Sequence, residues 1–103
     1  MYIVVLITAK DFTEAEKVAR SLLENKVAAC INISQDIRSL FWWEGKVDES
    51  REVLMIVKSK KKHFKKLMSL VKSLHSYMVP EIIALPIING SKDYLNWLNE
   101  STP

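Results

Sequence analysis

Few side chains in this 103-residue chain can do coordination or covalent chemistry: one cysteine, Cys30, two histidines, His63 and His75, and four methionines. Copper sites use imidazole and, for the reduced ion, thiolate or thioether ligands, so these residues are the natural candidates for a soft metal. Cys30 and His75 also have the types of a nucleophile and its base, but nothing orients them and no further pairing resembles a triad, so no enzyme activity is expected. Each residue has a structural reading as well. Cys30 alternates with Ala28 and Asn32 on one face of a strand, where a small thiol behaves as a core hydrophobe. His75 stands where a helix is expected to end, and an imidazole is favourable there.

A second chemistry lies in Lys60, Lys61 and Lys62. Six of the twelve lysines fall between Lys58 and Lys66, so the mild net charge of +3 conceals a local positive field. The three lysines are expected in the first turn of a helix, where the dipole prefers acidic groups or bound anions. Either an anion sits there or Glu49 and Glu52, in the strand before, compensate them.

These residues must be positioned by strands and helices. Tyr2 to Thr8 is an apolar β-branched run, the pattern of a central strand. Thr13 with Glu16 makes a capping box, and Ala15, Val18, Ala19, Leu22 and Leu23 repeat at helical spacing, predicting a helix over 13–25. Residues 27–58 read as one long β-ribbon. Its return arm of 13 residues, Lys46 to Lys58, could extend ~43 Å at about 3.3 Å per residue. Ser34 to Asp36 suit a bulge, and the tip is expected to be a three-residue loop with Gly45 left-handed. Ser59 can cap a second helix carrying Phe64, Leu67, Met68, Val71 and Leu74. A strand over 81–88 and a short helix over 91–99 complete the chain.

The order is β-α-β-β-α-β plus a terminal helix, the α+β, ferredoxin-like split βαβ arrangement with an antiparallel sheet, in one domain spanning residues 1–103. Proline has no N–H for the ladder and belongs on an edge strand. In the sheet order 4-1-3-2, Pro86 falls on an edge and the apolar first strand is central. Phe41, Trp42 and Trp43 at the ribbon tip form an apolar patch of the kind that marks contact with another chain. Trp42 and Trp43 point to opposite faces of a regular ribbon, so at least one must find a partner outside its own subunit. Tyr77, Tyr94 and Trp97 are expected in the core or at an interface.

Several separated blocks carry a family resemblance: VAACIN at 27–32, IRSLFWWEGKV at 37–47, Glu52 and Lys58, HSYMVPEI at 75–82 and YLNWL at 94–98. Together they resemble the CutA family of divalent-cation tolerance proteins over essentially the whole chain. The resemblance implies a compact homotrimer in which the long hairpins pack across subunits, in the manner of the PII signalling proteins. It also implies a role in tolerance to divalent metals, particularly copper, with no established reaction and no required cofactor. Some copper-associated members carry a cysteine where Ile7 stands and a histidine where Leu74 stands. The family's usual His-Pro-Tyr-Glu-x-Pro-Glu loop has Ser76 and Met78 here in its proline and acidic positions. An oxygen ligand is thereby exchanged for a thioether, which disfavours hard cations and leaves Cu(I) open through His75 and Met78. The candidate metal set is therefore His75, Cys30, Met78 and Glu81, with Cys30 under a cleft between subunits near His75 and Glu81, binding copper weakly.

The alternative is a PII-like trimeric sensor holding a small anion or nucleotide in clefts between subunits. Both glycines are accounted for by turns, so no glycine-rich phosphate loop supports it. RNA binding on this topology needs sheet-face aromatics, and SREVLMIVKS has none. No apolar run approaches the ~20 residues of a membrane span, and the N-terminus has no signal-peptide pattern. A cytoplasmic protein without nucleic-acid or membrane partners is expected, and the single cysteine suits a reducing compartment.

Overall fold

The computed structural model describes residues 1–103. The elements run β1 (Tyr2–Ala9), α1 (Phe12–Glu24), β2 (Cys30–Trp43), β3 (Lys46–Lys60), a 3₁₀ turn over Lys61–His63, α2 (Phe64–Leu74), β4 (Ile82–Pro86) and α3 (Lys92–Ser101). One antiparallel sheet has the order β2-β3-β1-β4, as the ferredoxin-like reading requires. Pro86 lies opposite Ile3 on the edge strand, where its missing N–H costs no interior ladder bond.

Alternation along the strands assigns the two sheet faces. Ile3, Val5 and Ile7 of β1 and Val53, Met55 and Val57 of β3 point toward α1 and α2, where Ala15, Val18, Leu22, Leu67 and Val71 close a continuous core. Full burial of each large side chain contributes ~1.5–3 kcal/mol. The opposite face is also apolar yet has no comparable cover. Val4, Leu6, Leu54 and Ile56 are half-buried, while Ile83 and Leu85 remain 52% and 47% exposed. The register aligns Leu6 with Ile56 and Ile83, and Val4 with Leu85, so these side chains form one contiguous surface.

β1 reaches along β3 only as far as Val53. From Glu52 outward the ribbon has two strands alone, a unit that is marginal in water, and it gives the chain its long dimension of 44 Å. The expected bulge is present: Ser34 pairs Leu54, Ile37 pairs Glu52, and Asp36 adopts a left-handed φ of 57°.

Three local expectations are corrected. The hairpin closes with Trp43 opposite Lys46, and Glu44 and Gly45 have φ of 51° and 77°. This is a two-residue turn with positive φ at both positions, the pairing whose twist matches the strands, in place of the three-residue loop. Helix α1 is capped by Asp11, whose side chain accepts from the Glu14 N–H at 2.8 Å; Thr13 already lies inside the helix. Ser59 does not cap α2, because its buried hydroxyl donates to the Val27 carbonyl at 2.5 Å. Lys60 therefore ends β3, and Lys61 and Lys62 belong to the 3₁₀ turn before α2.

Candidate functional site

His75 follows the last residue of α2, and its N–H satisfies the Val71 carbonyl at 2.9 Å. The ring is fully buried. Its Nε2 lies 2.6 Å from the Thr8 carbonyl oxygen, and the Tyr77 N–H donates to Nδ1 at 3.1 Å. An N–H donor at Nδ1 requires a lone pair there, so Nε2 carries the proton and donates to Thr8. Both nitrogens are committed, and no lone pair remains for a metal. The helix-end reading holds for the backbone, while the ring acts as a strut between β1 and the 76–81 loop.

Glu14 supports the same loop from α1. Its Oε1 accepts from the Ser76 N–H at 2.8 Å and its Oε2 from the Lys10 N–H at 3.3 Å. Burial alone would raise its carboxyl, but the hydrogen bonds from Ser76 and Lys10 outweigh it and hold the group below its ordinary value. Tyr77 then reaches over the sheet, and its hydroxyl donates to Glu52 Oε2 at 2.8 Å. Burial first, and the Glu52 carboxylate second, push the phenol up to about 12. It is a neutral donor at physiological pH.

The other candidate ligands lie apart. Cys30 pairs with Lys58 and so stands level with Val4, four residues along β1 from the Thr8 carbonyl that holds His75. It is half-buried outside the core cluster, so the core-hydrophobe reading is also corrected. Its neighbour is Tyr94 of α3, whose hydroxyl is raised by burial and then by the nearby Cys30 thiol. His63 is tied to the Thr102 carbonyl at 3.0 Å. Met78 is 92% exposed and Glu81 is exposed. No three His, Cys, Asp or Glu side chains approach closely enough to hold a metal ion. Within one chain, His75, Cys30, Met78 and Glu81 do not form a site.

The lysines also separate. Lys60 is buried, and its ammonium donates to Asn99 Oδ1 at 3.0 Å. Burial, then neighbouring Lys62, holds it below the ordinary lysine value. Lys61 and Lys62 are exposed. Glu49 pairs with Arg38 and Glu52 with Tyr77, so neither compensates the lysines as expected. Moving the lysines into a 3₁₀ turn ahead of α2 relaxes the conflict with the helix dipole instead.

One concavity does collect functional side chains. A groove of about 920 Å³ runs between the ribbon and the 77–81 loop, with Trp42, Trp43, Glu52, Tyr77, Met78 and Glu81 among its lining residues. It brings together Tyr77, Met78 and Glu81 from the expected set with Phe41, Trp42 and Trp43 from the expected interface. It leaves out Cys30, His75, Trp97 and the lysines. Trp97 stacks at a tilt on Tyr94, 5.4 Å between centroids, at the other end of the chain. Sequence reasoning missed Glu14, and Glu52 as the Tyr77 acceptor. The only signal for Glu14 was its spacing of three from Asp11.

The family model of the CutA1 divalent ion tolerance protein matches residues 3–101. The divalent-cation tolerance protein CutA of Archaeoglobus fulgidus is 46% identical over 101 residues, covering 98% of each chain. That of Thermus thermophilus is 46% identical over 99 residues, covering 96% of each. Among solved structures, the Thermus thermophilus protein superposes with a TM-score of 0.98 at 46% identity over all of both chains. CutA1 of Oryza sativa gives a TM-score of 0.95 at 43% identity, covering 99% of this chain and 94% of that one. A structure described as the periplasmic CutA of Archaeoglobus fulgidus gives 0.96 at 45% over all of both. The chain belongs to the CutA1 divalent-cation tolerance family.

Proposed function

We propose that this chain acts as a homotrimer in cellular tolerance of divalent cations, copper among them, without catalysing a reaction. The observation that carries the assembly is the apolar sheet face that α3 covers only at its Cys30 and Lys60 end, continuous from Val4 and Leu6 through Leu54 and Ile56 to Ile83 and Leu85. Solvated apolar surface on this scale is the mark of an interaction site. The two-stranded ribbon, with Trp42 76% exposed at its tip, also gains stability only from contacts beyond its own chain. A non-catalytic role is supported by His75, which has no free nitrogen to serve as a base for the distant Cys30 thiol.

Copper binding on this reading is weak. Met78 and Glu81 at the groove rim are the accessible members of the donor set, and a thioether with one carboxylate cannot hold the ion tightly. Calorimetric titration of the assembled protein with Cu(II) tests this. Low affinity at neutral pH, unchanged in His75→Ala per folded molecule, is the expected result; a tight stoichiometric site contradicts it. The unpaired cysteine favours the cytoplasm as the working compartment.

A second reading, a trimeric sensor of a small anion or nucleotide, draws on exposed Lys61 and Lys62. The carboxylate-rich groove speaks against an anion there. Thermal scans in phosphate and chloride at matched ionic strength decide: a phosphate-specific rise supports the sensor, and equal melting temperatures refute it.

A further inference from the structure

The apolar sheet face carries a charge at each end that its own chain does not match. Side chains alternate along a strand, so Leu54 and Ile56 share their face of β3 with Glu52 at one end and Lys58 at the other. At about 3.3 Å per residue the two charges stand ~20 Å apart. Glu52 is 8% exposed. Tyr77 occupies its Oε2, and no lysine, arginine or histidine lies within ion-pairing distance. Lys58 is half-buried at the margin of α3. Its ammonium donates to Asn32, which lies further from α3 than its own ladder partner Cys30, and no carboxylate is in reach.

In a single chain water completes both groups, and the second Glu52 oxygen is not sealed in. Covering Leu54 and Ile56 with another copy takes that water away. An ionised group stripped of water requires a partner of opposite sign. Other charges of the chain are already committed: Glu49 to Arg38, and Lys60 to Asn99. The face thus presents an anion and a cation, at opposite ends, to the copy that covers it. Two copies match when the Glu52 end of one meets the Lys58 end of the other, and in a ring of three each copy gives one end to each neighbour.

We propose that Lys58 of each copy pairs with Glu52 of the next, so that three identical ion pairs fix the register of the trimer. This rests on the homotrimer reading and adds the contact that orients it. The apolar side chains supply an attraction without direction. The ion pairs supply the direction, since a shifted register buries both charges unpaired.

The test is a double-mutant cycle read by sedimentation equilibrium over a dilution series of the full-length protein. Its variants are Glu52→Gln, which keeps an acceptor for Tyr77, Lys58→Gln, and the two combined. Sites ~20 Å apart in one chain act additively within it, so coupling between them reports contact between copies. Each single variant is expected to raise the concentration of half-dissociation by about tenfold or more, because it leaves the other charge buried alone. The double variant is expected to be no weaker than either single one. Additive losses, or wild-type assembly in both single variants, overturn the pair. Circular dichroism checks the fold. If Glu52→Gln does not fold, Lys58 decides alone: Lys58→Glu dissociates the trimer and Lys58→Arg keeps it, and equal assembly of these two overturns the proposal. The two readings fail separately. A wild-type chain that sediments at 11.9 kDa refutes the trimer and the pair with it, whereas a trimer indifferent to these substitutions refutes only the pair.

Discussion

Replacing His75 by alanine separates a strut from a metal ligand. The substitution removes a fully buried ring together with its bonds to the Thr8 carbonyl at 2.6 Å and the Tyr77 amide at 3.1 Å. Each such bond is worth ~1 kcal/mol net, but truncation strands both backbone partners, at about 1–3 kcal/mol apiece, and leaves a cavity. Allowing for partial collapse and water entry, the expected loss is about 3–5 kcal/mol. In a domain of this size that lowers the melting temperature by ~15 °C or more. Denaturant unfolding of wild type and variant at one protein concentration measures it, because an oligomer's stability depends on concentration. His75→Gln, which retains one donor, should lose less. A loss below ~1 kcal/mol, or copper affinity that collapses while stability is unchanged, would refute the strut and restore His75 as a ligand.

Two pH dependences follow from the same network. The Glu14 carboxyl is held below its ordinary 4.5, so the stability it contributes is complete above that value and is lost as pH falls through the folded-state pKa. Glu14→Gln should flatten that acid limb in melting scans; an unchanged limb would show that Glu14 does not carry it. The Tyr77 phenol is raised from 10.0 to about 12, so its contribution is complete below the unfolded value and is lost as pH climbs through the folded one. Ultraviolet titration should show two of the three tyrosines ionising late, since Tyr94 is raised as well, and the component near 12 should be absent in Tyr77→Phe. Glu52→Gln should recover only part of the shift, because burial is the larger cause, and full recovery would invert that order.

The architecture was legible because strand and helix periods are local and Pro86 has one compatible place. The split βαβ element order implies the sheet order, with which proline on the last strand and an unbroken apolar first strand agree, and Ser34 to Asp36 marked the bulge. Local chemistry misled where a longer-range demand overrode it. Glu44 is an unfavoured residue at positive φ, yet strand pairing up to Trp43 and Lys46 leaves only two residues to turn. Asp11 and Thr13 both precede a glutamate by three, and the capping signal alone does not choose between them. Ser59 has the type of a helix cap but is claimed by Val27, 32 residues away in sequence. The site was less legible for the same reason. The His75 ring is defined by Thr8, 67 residues distant, and Glu52 by Tyr77, 25 distant; neither partner leaves a spacing to read. Residue type alone made His75 and Cys30 look like ligands, and only tertiary placement shows one ring saturated and the other side chain beside Tyr94.

Sedimentation equilibrium at micromolar protein tests the central claim most directly, since the uncovered face of Val4, Leu6, Leu54, Ile56, Ile83 and Leu85 must be buried between copies. The account predicts a single species of about three times the 11.9 kDa chain mass, persisting at high salt because the contact is apolar. A stable, folded 11.9 kDa monomer under these conditions would contradict it.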